Sequence, residues 1–488
     1  MSETCCGGNT LADTVATEYT KVLGRWLKEP AIIASKQKFP DRNLIQLAAT
    51  HGNEQIVTLV LAHDPGVDPA APHNLAINIA AEKGFIMIVS LLLGDSRVVP
   101  SWLTIALAAK QGHSDIVKLL LNDGRADPAG CNGLALQWAV QHGRVGVVKL
   151  LLNDPRVQAS FIEDKNLHFQ SACEYGQLAV VKLMLAADET IYPSLRNNRA
   201  IRLAAGNGHA EVVAFLLEDT RVDPTANNNS ALLKAAEYGY DNVVNVLLQD
   251  GRADPAARNN HAIRWAAAHG HVKVVVLLLA TPNVYAGADD DFAIRWAAKH
   301  GHYKIVKLLL DLPYVNPAAN GNFAIRWAAE HGHVEVVILL CGDPRVDPAV
   351  DKNYPIQRAA ANGHYHVVCH LLTNSRVYPA AGNNRTLLLA LRHKDSTTAA
   401  KIVARLIEDP RVMSPDDADA ILAHALAEAA EAGNVELVER LAVDAGLVEK
   451  KEPAVASECT TMEDDDGKHL VKTTGAAVSA AIADGHNE

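Results

Sequence analysis

The sequence lacks most of the features that mark secreted, membrane or catalytic proteins. Its seven cysteines among 488 residues are scattered and form no C-x-x-C pair. An odd count in a long chain argues against a disulfide framework, so we expect a reducing compartment, the cytoplasm or the nucleus. No apolar run approaches the length of a membrane span, and the N-terminus shows no secretory signal, so we expect no membrane association.

Positive charge and catalytic motifs are also scarce. Lys and Arg number 45 against 56 Asp and Glu, which gives a formal net charge of −11. This acidity argues against nucleic acid as a partner, because phosphate binding requires a basic face. The chain contains no phosphate loop, H-E-x-x-H, G-x-S-x-G or kinase motif. We therefore expect a protein that is not an enzyme and holds no cofactor.

What the sequence does contain is repetition. The segment "NNHAIRWAAAHGHVKVVVLLL" begins at Asn259, "DFAIRWAAKHGHYKIVKLLL" at Asp291 and "NFAIRWAAEHGHVEVVILL" at Asn322. A catalytic site is normally built once, so a pattern written three times indicates a building unit. A glycine marks each unit, and the five spacings from Gly208 to Gly363 are 31 residues each, after earlier spacings of 28 to 33.

The repeated pattern divides the chain into three parts. After Gly363 it blurs, and it returns at Gly433, which gives about thirteen units with a degenerate twelfth and a thirteenth that serves as the C-terminal cap. We predict a partly helical N-terminal cap over 1–40, the array over 41–448 and a flexible polar tail over 449–488. We expect the acidic run Asp464, Asp465 and Asp466 in that tail to be solvated.

Each unit predicts two short helices. In the unit that starts at Phe292, apolar residues at i, i+3 and i+4 place small side chains on two sides of the first helix. Gly301 then permits a tight reversal, and the second helix follows with Leu309 on its apolar face. Asp291 or Asn322, directly ahead of a first helix, is a candidate N-cap. Such short helices must bury their apolar faces on neighbouring units, so the predicted fold is an all-α solenoid.

The segment "AIRWAAEHGHVEVVILL" resembles the ankyrin-repeat pattern, with the Ala-Ala, Gly-His, Val-Val and Leu-Leu elements at matching offsets. The segment "RVDPAA" resembles the tip of that repeat. The Thr-Pro opening is replaced by Phe292-Ala293 or Phe323-Ala324, and only Pro355 retains the proline. The connecting loop is also two residues shorter, so we expect tighter, less hairpin-like tips. The resemblance implies a monomeric module that binds one or more proteins through its tips and concave helix face.

The histidines form two rows. One row directly follows the repeat glycine, and the resemblance implies structural hydrogen bonding for its members, which are His113, His209, His271, His302, His333 and His364. The other row precedes the glycine and shares its position with Tyr175 and Tyr238; its members are His51, His142, His269, His300 and His331. This second row resembles a contact position of the family, although a solvated polar position explains it as well.

Two further rows have alternative explanations. Trp138, Trp265, Trp296 and Trp327 share one register, which favours helix packing over a ligand ladder. An arginine row, formed by Arg202, Arg264, Arg295 and Arg326, needs nearby anions. Tip carboxylates such as Asp254 or Asp347 would make the arginine row structural; otherwise it faces outward and binds an acidic peptide.

One segment has the spacing of a metal site. His366 and His370 lie at i and i+4 beside Cys369, a spacing known from zinc sites. Cys369 faces another side of the helix and no acidic general base stands at the expected offset, so polar positions of an amphipathic helix explain these residues better. We therefore expect no metal.

The sequence thus favours a non-enzymatic interaction scaffold. The alternatives are a substrate-recruiting adaptor or effector subunit of an enzyme complex, and a metal-dependent enzyme built around His366 and His370. The predicted partner-binding residues lie at the tip and at the junction of the two helices: Asn260, His269, Asp291, Lys299, His300, Asn322, Glu330 and His331.

Overall fold

The computed structural model describes residues 44–63, 67–160, 165–412 and 418–431, together with residues 435, 438, 439 and 442. Within this part of the chain there are 26 helices and no strand, which confirms the all-α prediction. The predicted N-terminal cap and polar tail lie outside the described residues, as does most of the second helix expected in the thirteenth unit. Those boundaries and the count of thirteen stay predictions.

The described helices form twelve consecutive pairs, numbered here as repeats 1 to 12. Repeats 1 to 4 contain α1 (Leu44–His51), α2 (Glu54–His63), α3 (Leu75–Lys83), α4 (Ile86–Leu93), α5 (Trp102–Gln111), α6 (Ser114–Asp123), α7 (Gly130–Gln141) and α8 (Val145–Leu152), followed by a short extra helix, α9 (Pro155–Ser160). Repeats 5 to 8 contain α10 (Lys165–Glu174), α11 (Leu178–Ala187), α12 (Leu195–Gly206), α13 (Ala210–Leu217), α14 (Ala226–Tyr238), α15 (Asp241–Asp250), α16 (Ala257–Ala268) and α17 (Val272–Leu279). Repeats 9 to 12 contain α18 (Ala288–Lys299), α19 (Tyr303–Leu310), α20 (Ala319–Glu330), α21 (Val334–Gly342), α22 (Val350–Ala361), α23 (Tyr365–Thr373), α24 (Ala381–Leu391) and α25 (Ser396–Ile407), and α26 (Ala418–Glu431) begins repeat 13.

Adjacent repeats stack so that equivalent helices are in contact. First helices pack on the first helices of neighbouring repeats, and second helices pack on second helices. In repeat 9 the paired alanines Ala297 and Ala298 and the second-helix residues Ile305, Val306 and Leu309 are fully buried. They belong to one apolar core that continues through the described repeats. Because each helix is too short to be stable alone, this burial against neighbours holds the array together.

A side chain of each repeat covers the turn glycine of the repeat before it. Gly301 has φ +78°, and a Cβ there would lie 2.6 Å from Nδ1 of His333. Nε2 of His333 donates to the Lys299 carbonyl at 3.0 Å, across the boundary between repeats. The same bond, at 2.8 to 3.1 Å, extends to the preceding repeat from His113, His209, His271, His302 and His364. The predicted structural role of this histidine row is confirmed.

An Asp-x-Arg pair in each of several connecting loops makes a second cross-repeat contact. Arg345 pairs with Asp343 at 2.6 Å and donates to the carbonyls of Val315 and Leu310 at 2.8 and 3.0 Å. Leu310 ends a helix of the previous repeat, where carbonyls lack partners within the helix. Equivalent bonds extend from Arg97, Arg125, Arg156, Arg252 and Arg411. The role of these arginines was not predicted, although the recurring Asp-x-Arg spacing was the signal.

The tips contain a three-residue left-handed turn. Asp289, Asp290 and Asp291 have φ of 61°, 54° and 57°. Ordinary side chains disfavour this region by roughly 1–2 kcal/mol per residue, whereas Gly and to a lesser degree Asn and Asp tolerate it. We call each such group a left-handed triplet; the triplets are residues 131–133, 196–198, 227–229, 258–260, 289–291, 320–322, 351–353 and 382–384. The expectation of a compact tip without a hairpin agrees with this turn.

Candidate functional site

Three of the eight predicted partner-binding residues end left-handed triplets. Oδ1 of Asn260 accepts from the Tyr285 amide at 2.7 Å, Asp291 from the Asn316 amide at 2.9 Å, and Asn322 from the Asp347 amide at 2.8 Å. Asn260 and Asp291 are buried and Asn322 is half-buried. The predicted N-cap role of Asp291 and Asn322 is wrong, because their side-chain oxygens accept from the next repeat instead of from the helix that follows them.

An ionisable side chain distinguishes Asp291 from Asn260 and Asn322 in this row. Desolvation raises the pKa of its carboxyl group, while the bond from the Asn316 amide and the charge of Arg295 oppose that rise. Asn260 and Asn322 occupy equivalent positions without an ionisable group. The three side chains therefore hold tips of adjacent repeats together, and their contribution to any contact surface is to fix the shape of the tip.

The other predicted residues lie where the first helices end. His269, His300 and His331 are exposed, and Lys299 and Glu330 are half-buried beside them. Each exposed histidine donates Nδ1 to a backbone carbonyl: His269 to Trp265 at 3.0 Å, His300 to Ala268 at 3.0 Å and His331 to Trp327 at 2.9 Å. Because a carbonyl only accepts, the proton of each neutral ring lies on Nδ1 and the lone pair lies on Nε2.

These histidines end rows of rings that run along the first helices. In repeat 9 the ring centroids of Phe292 and Trp296 are 5.3 Å apart, and those of Trp296 and His300 are 5.6 Å apart. The i, i+4, i+8 spacing places all three on one helix face. Adjacent repeats carry the equivalent rows, so we define the aromatic stripe as His261, Trp265, His269, Phe292, Trp296, His300, Phe323, Trp327 and His331.

The stripe continues across repeat boundaries. The Trp265 centroid lies 5.6 Å from that of Phe292, and the Trp296 centroid lies 6.4 Å from that of Phe323. The three tryptophans are half-buried, and Trp265 and Trp296 each contact a ring of the next repeat, which agrees with the packing alternative while leaving part of each ring at the surface. Phe292 and Phe323 were not predicted as part of the site, although their spacing four residues before Trp296 and Trp327 was the available signal.

Cations cover the faces of these rings. Nζ of Lys299 lies 4.4 Å from the Trp296 centroid and 4.6 Å from the Trp327 centroid. The Arg264 guanidinium lies 5.3 Å from the Phe292 centroid, and that of Arg295 lies 5.4 Å from Phe323. Such distances allow attraction between a cation and the negative face of the ring. Lys299 thereby bridges the tryptophans of two repeats.

Arg264 and Arg295 of the arginine row each hold the triplet of their own repeat. Nε of Arg264 donates to the Asn259 carbonyl at 2.9 Å, and Nε of Arg295 donates to the Asp290 carbonyl at 2.7 Å, in each case within the repeat's own triplet. Arg264 also pairs with Asp289 of the next repeat at 2.6 Å. The predicted partners Asp254 and Asp347 are wrong, because the carboxylates that Arg264 and Arg326 meet are Asp289 and Asp351 in the triplets.

Glu330 is committed to a neighbouring repeat. Its carboxylate pairs with Arg358 at 2.6 Å and accepts from the Tyr354 hydroxyl at 3.0 Å. Burial alone would raise the pKa of Glu330, but the bonds from Arg358 and Tyr354 hold it below its usual range. Of the five surface residues, His269, Lys299, His300 and His331 therefore keep the most donor and acceptor capacity for a partner.

The candidate metal ligands His366 and His370 lie four residues apart on the helix Tyr365–Thr373. His366 is exposed and its ring meets Tyr365 edge-on, with centroids 5.5 Å apart. Across the described ranges, no group of three or more His, Cys, Asp or Glu side chains is arranged to hold a metal ion. None of the described helices combines the length and apolar character that a membrane crossing requires.

Comparison with known families agrees with the repeat architecture. A family model described as ankyrin repeats (3 copies) matches residues 100–162, 169–259 and 263–354, which together make up half of the chain. A comparison with curated proteins found no match. The matched ranges include every residue of the aromatic stripe except His261.

Proposed function

Since the chain belongs to the ankyrin-repeat family, whose repeats are generally protein–protein interaction modules, we propose that it is a non-enzymatic scaffold that binds one or more partner proteins. The contact surface is the aromatic stripe together with Lys299 and the adjoining tips. His269, Lys299, His300 and His331 make the direct contacts, with Glu330 at the edge. Asn260, Asp291 and Asn322 hold the tips that flank this surface.

The observation that carries this proposal is the separation of two histidine rows. His302 and His333 donate to the preceding repeat and cover its glycine, so the stacking depends on them. His300 and His331 lie two residues earlier, are exposed and cover no glycine. Nδ1 of His331 donates within its own helix, whereas Nδ1 of His300 shares the Ala268 carbonyl of the preceding repeat with His302, and Nε2 of both rings stays available. An exposed row of imidazoles beside half-buried tryptophans has the mixed apolar and polar character of protein-binding surfaces.

The matched pairs of histidines provide the test. The double substitution His300→Ala and His331→Ala is compared with His302→Ala and His333→Ala. Partners captured from the native cell with the wild-type chain are quantified by mass spectrometry, and thermal melting is followed for each protein. We expect the exposed pair to reduce partner recovery while the melting temperature stays within about 2 °C of wild type. The buried pair should lower the melting temperature clearly.

Two results would count against this function. If no partner is recovered reproducibly with the wild-type chain, the scaffold proposal fails. If the His300→Ala and His331→Ala double variant melts as early as the other double variant, the exposed histidines belong to the fold, and the contact surface has to be sought elsewhere on the array.

A further inference from the structure

We propose that the aromatic stripe of repeats 8 to 10 binds an extended acidic segment of a separate partner protein, rich in aspartate and glutamate. This inference rests on the proposed scaffold function and adds the chemistry of the partner. Three features of the stripe support this inference: cations cover its ring faces, two of those cations form no ion pair with any residue that the structure describes, and the stripe crosses three repeats.

The ring faces of the stripe are already covered by the chain's own cations. Lys299 lies over Trp296 and Trp327, and Arg295 lies between Phe292 and Phe323, 6.0 and 5.4 Å from their centroids. A cationic or quaternary-ammonium ligand would need bare aromatic faces, and here it would meet like charge. What the surface offers is N–H donors supported by rings, which suits a ligand with anionic acceptors.

Among the described residues, the two cations at the centre of the stripe form no direct ion pair with a carboxylate, although the charge of Arg295 acts on the nearby Asp291. Arg264 and Arg326 pair with Asp289 and Asp351 on either side. Within the described part of the chain, neither Lys299 nor Arg295 forms an ion pair. Arg295 uses Nε and Nη2 on triplet carbonyls at 2.7 and 2.9 Å, which leaves Nη1 for a ligand. Lys299 and Arg295 therefore form a local positive site that complements an acidic segment, although the net charge of the whole chain is −11.

The geometry of the stripe favours an extended segment over a single anion. Its helices lie side by side in three consecutive repeats, each roughly 8–10 Å from the next. A chain that crosses all three spans about 20 Å, which about six to eight extended residues cover. Carboxylates along such a segment can bond Lys299 directly, and they can bond Nε2 of His269, His300 and His331 when those exposed rings are protonated, since Nε2 of the neutral rings is an acceptor.

A peptide of defined sequence tests this chemistry directly. The probe is a fluorescein-labelled peptide of about eight residues in which glutamate alternates with glycine, long enough to cross the stripe. Its binding to the full-length chain is measured by fluorescence anisotropy at low salt. The comparison peptide carries glutamine at every glutamate position, so that length and flexibility are the same and only charge differs.

The substitutions isolate the central cation. Lys299→Gln removes the charge between the tryptophans, and Lys299→Arg restores a cation. Lys307→Gln is the control, because Lys307 is exposed on the second helix of the same repeat. We expect Lys299→Gln to weaken binding of the glutamate peptide about three- to tenfold, the size expected for loss of one hydrogen bond at a half-buried site. Lys299→Arg should recover most of that loss, and Lys307→Gln should change binding less than about twofold.

Several outcomes would overturn the inference. Equal effects of Lys299→Gln and Lys307→Gln, or equal binding of the two peptides, would show that the stripe is not the site or that charge is irrelevant. An oligothymidylate of the same charge that binds as tightly as the peptide would indicate a general polyanion surface. Binding that is seen only after Glu463, Asp464, Asp465 and Asp466 are changed to amides would make the chain's own acidic run the occupant.

The two proposals fail in different ways. If a captured partner is lost with the His300→Ala and His331→Ala variant but is unaffected by Lys299→Gln and by salt, the scaffold function stands and the acidic-segment inference is wrong. If the peptide binds as expected but no partner protein is recovered from the cell, the surface chemistry is correct and the scaffold function is wrong.

Discussion

Repeats 3 and 9 reach the same helix pair through different tips. The turn glycines of repeats 2 and 3, Gly84 and Gly112, are 28 residues apart, whereas those of repeats 8 and 9, Gly270 and Gly301, are 31 apart. The three missing residues are the left-handed triplet. In repeat 3 the first helix starts instead at Ser101, whose φ of −99° and capping box with Thr104 form an ordinary N-cap.

The contacts between repeats are nevertheless the same in both places. His113 donates to the Glu82 carbonyl at 3.0 Å in repeat 3, as His302 donates to Ala268 at 3.1 Å in repeat 9. Arg97 donates to the Val67 carbonyl at 2.7 Å without any triplet beside it. Stacking therefore does not need the triplet. The triplet instead supplies the tip carbonyls to which Arg264 and Arg295 donate. Repeat 3 has no triplet, and the residue at the corresponding position of its first helix is Ala106.

The largest expected loss of stability tests the buried core that repeats 3 and 9 share. Leu309→Ala in repeat 9 and Leu120→Ala in repeat 3 each truncate a fully buried side chain. Each should cost about 2–5 kcal/mol, since lost burial and the remaining cavity add together. The measurement is denaturant unfolding followed by circular dichroism. A loss at one position only would show that the two repeats do not share one kind of core.

Glycine substitutions separate backbone conformation from packing. Gly301→Ala places a Cβ at φ +78° and 2.6 Å from the His333 ring, whereas Gly321→Ala, at φ +63°, meets nothing closer than 3.8 Å. We expect Gly301→Ala to cost about 2–3 kcal/mol and Gly321→Ala about 1 kcal/mol. Thermal melting of the two variants gives the comparison. Equal losses of stability would mean that the clash with the His333 ring adds no cost beyond that of the left-handed backbone conformation.

Conversion of one tip into the other tests the comparison directly. Deletion of residues 289–291 together with Gly287→Ser gives repeat 9 the short tip of repeat 3. The deletion removes the Arg264–Asp289 pair, the Asp291 bond and the two bonds from Arg295 to the Asp289 and Asp290 carbonyls. The chain should still fold and lose less than about 2 kcal/mol, because a serine N-cap and the removal of three left-handed residues offset those losses. Circular dichroism and melting measure this. Loss of helix content in the converted chain would show that the triplet is essential to stacking in this region.

The smallest expected change in stability comes from Asp291, the last residue of the triplet 289–291. Burial raises the pKa of Asp291 above its unfolded value, so the native state binds more protons and this group lowers stability as pH rises above about 4. Asp291→Asn should therefore raise the melting temperature at neutral pH, by less than the changes above, and the gain should disappear at acidic pH. Asn322→Asp is the reverse control and should lower stability most at neutral pH. A gain that is independent of pH would exclude ionisation as the cause.

The sequence was sufficient for the features that recur with fixed spacing. The helix pairs, the buried alanines and the structural row that includes His302 and His333 follow from periodicity and from the family pattern. The features that were not predicted depend on backbone conformation. Asp291 before a helix predicts an N-cap, but φ +57° turns its carboxylate towards Asn316. Because this bond joins residues 25 apart in separate repeats, local pattern could not reveal it.

The contact surface was only partly predictable for a similar reason. His300 and Lys299 were predicted because they lie where a first helix ends, at positions that resemble contact positions of the family. That Lys299 lies over Trp296 and Trp327 depends on the distance between two repeats, which the sequence does not contain. Glu330 has the same position one repeat later but pairs with Arg358, so identical register did not imply an identical role.

Hydrogen exchange of the wild-type chain and Leu309→Ala, measured by mass spectrometry, tests the central claim that stability passes only between neighbouring repeats. The substitution should reduce protection in repeat 9 and its immediate neighbours, repeats 8 and 10, while amides of repeats 2 to 5 keep their wild-type exchange rates. An equal loss of protection in every repeat would contradict it and would indicate a single cooperative unit.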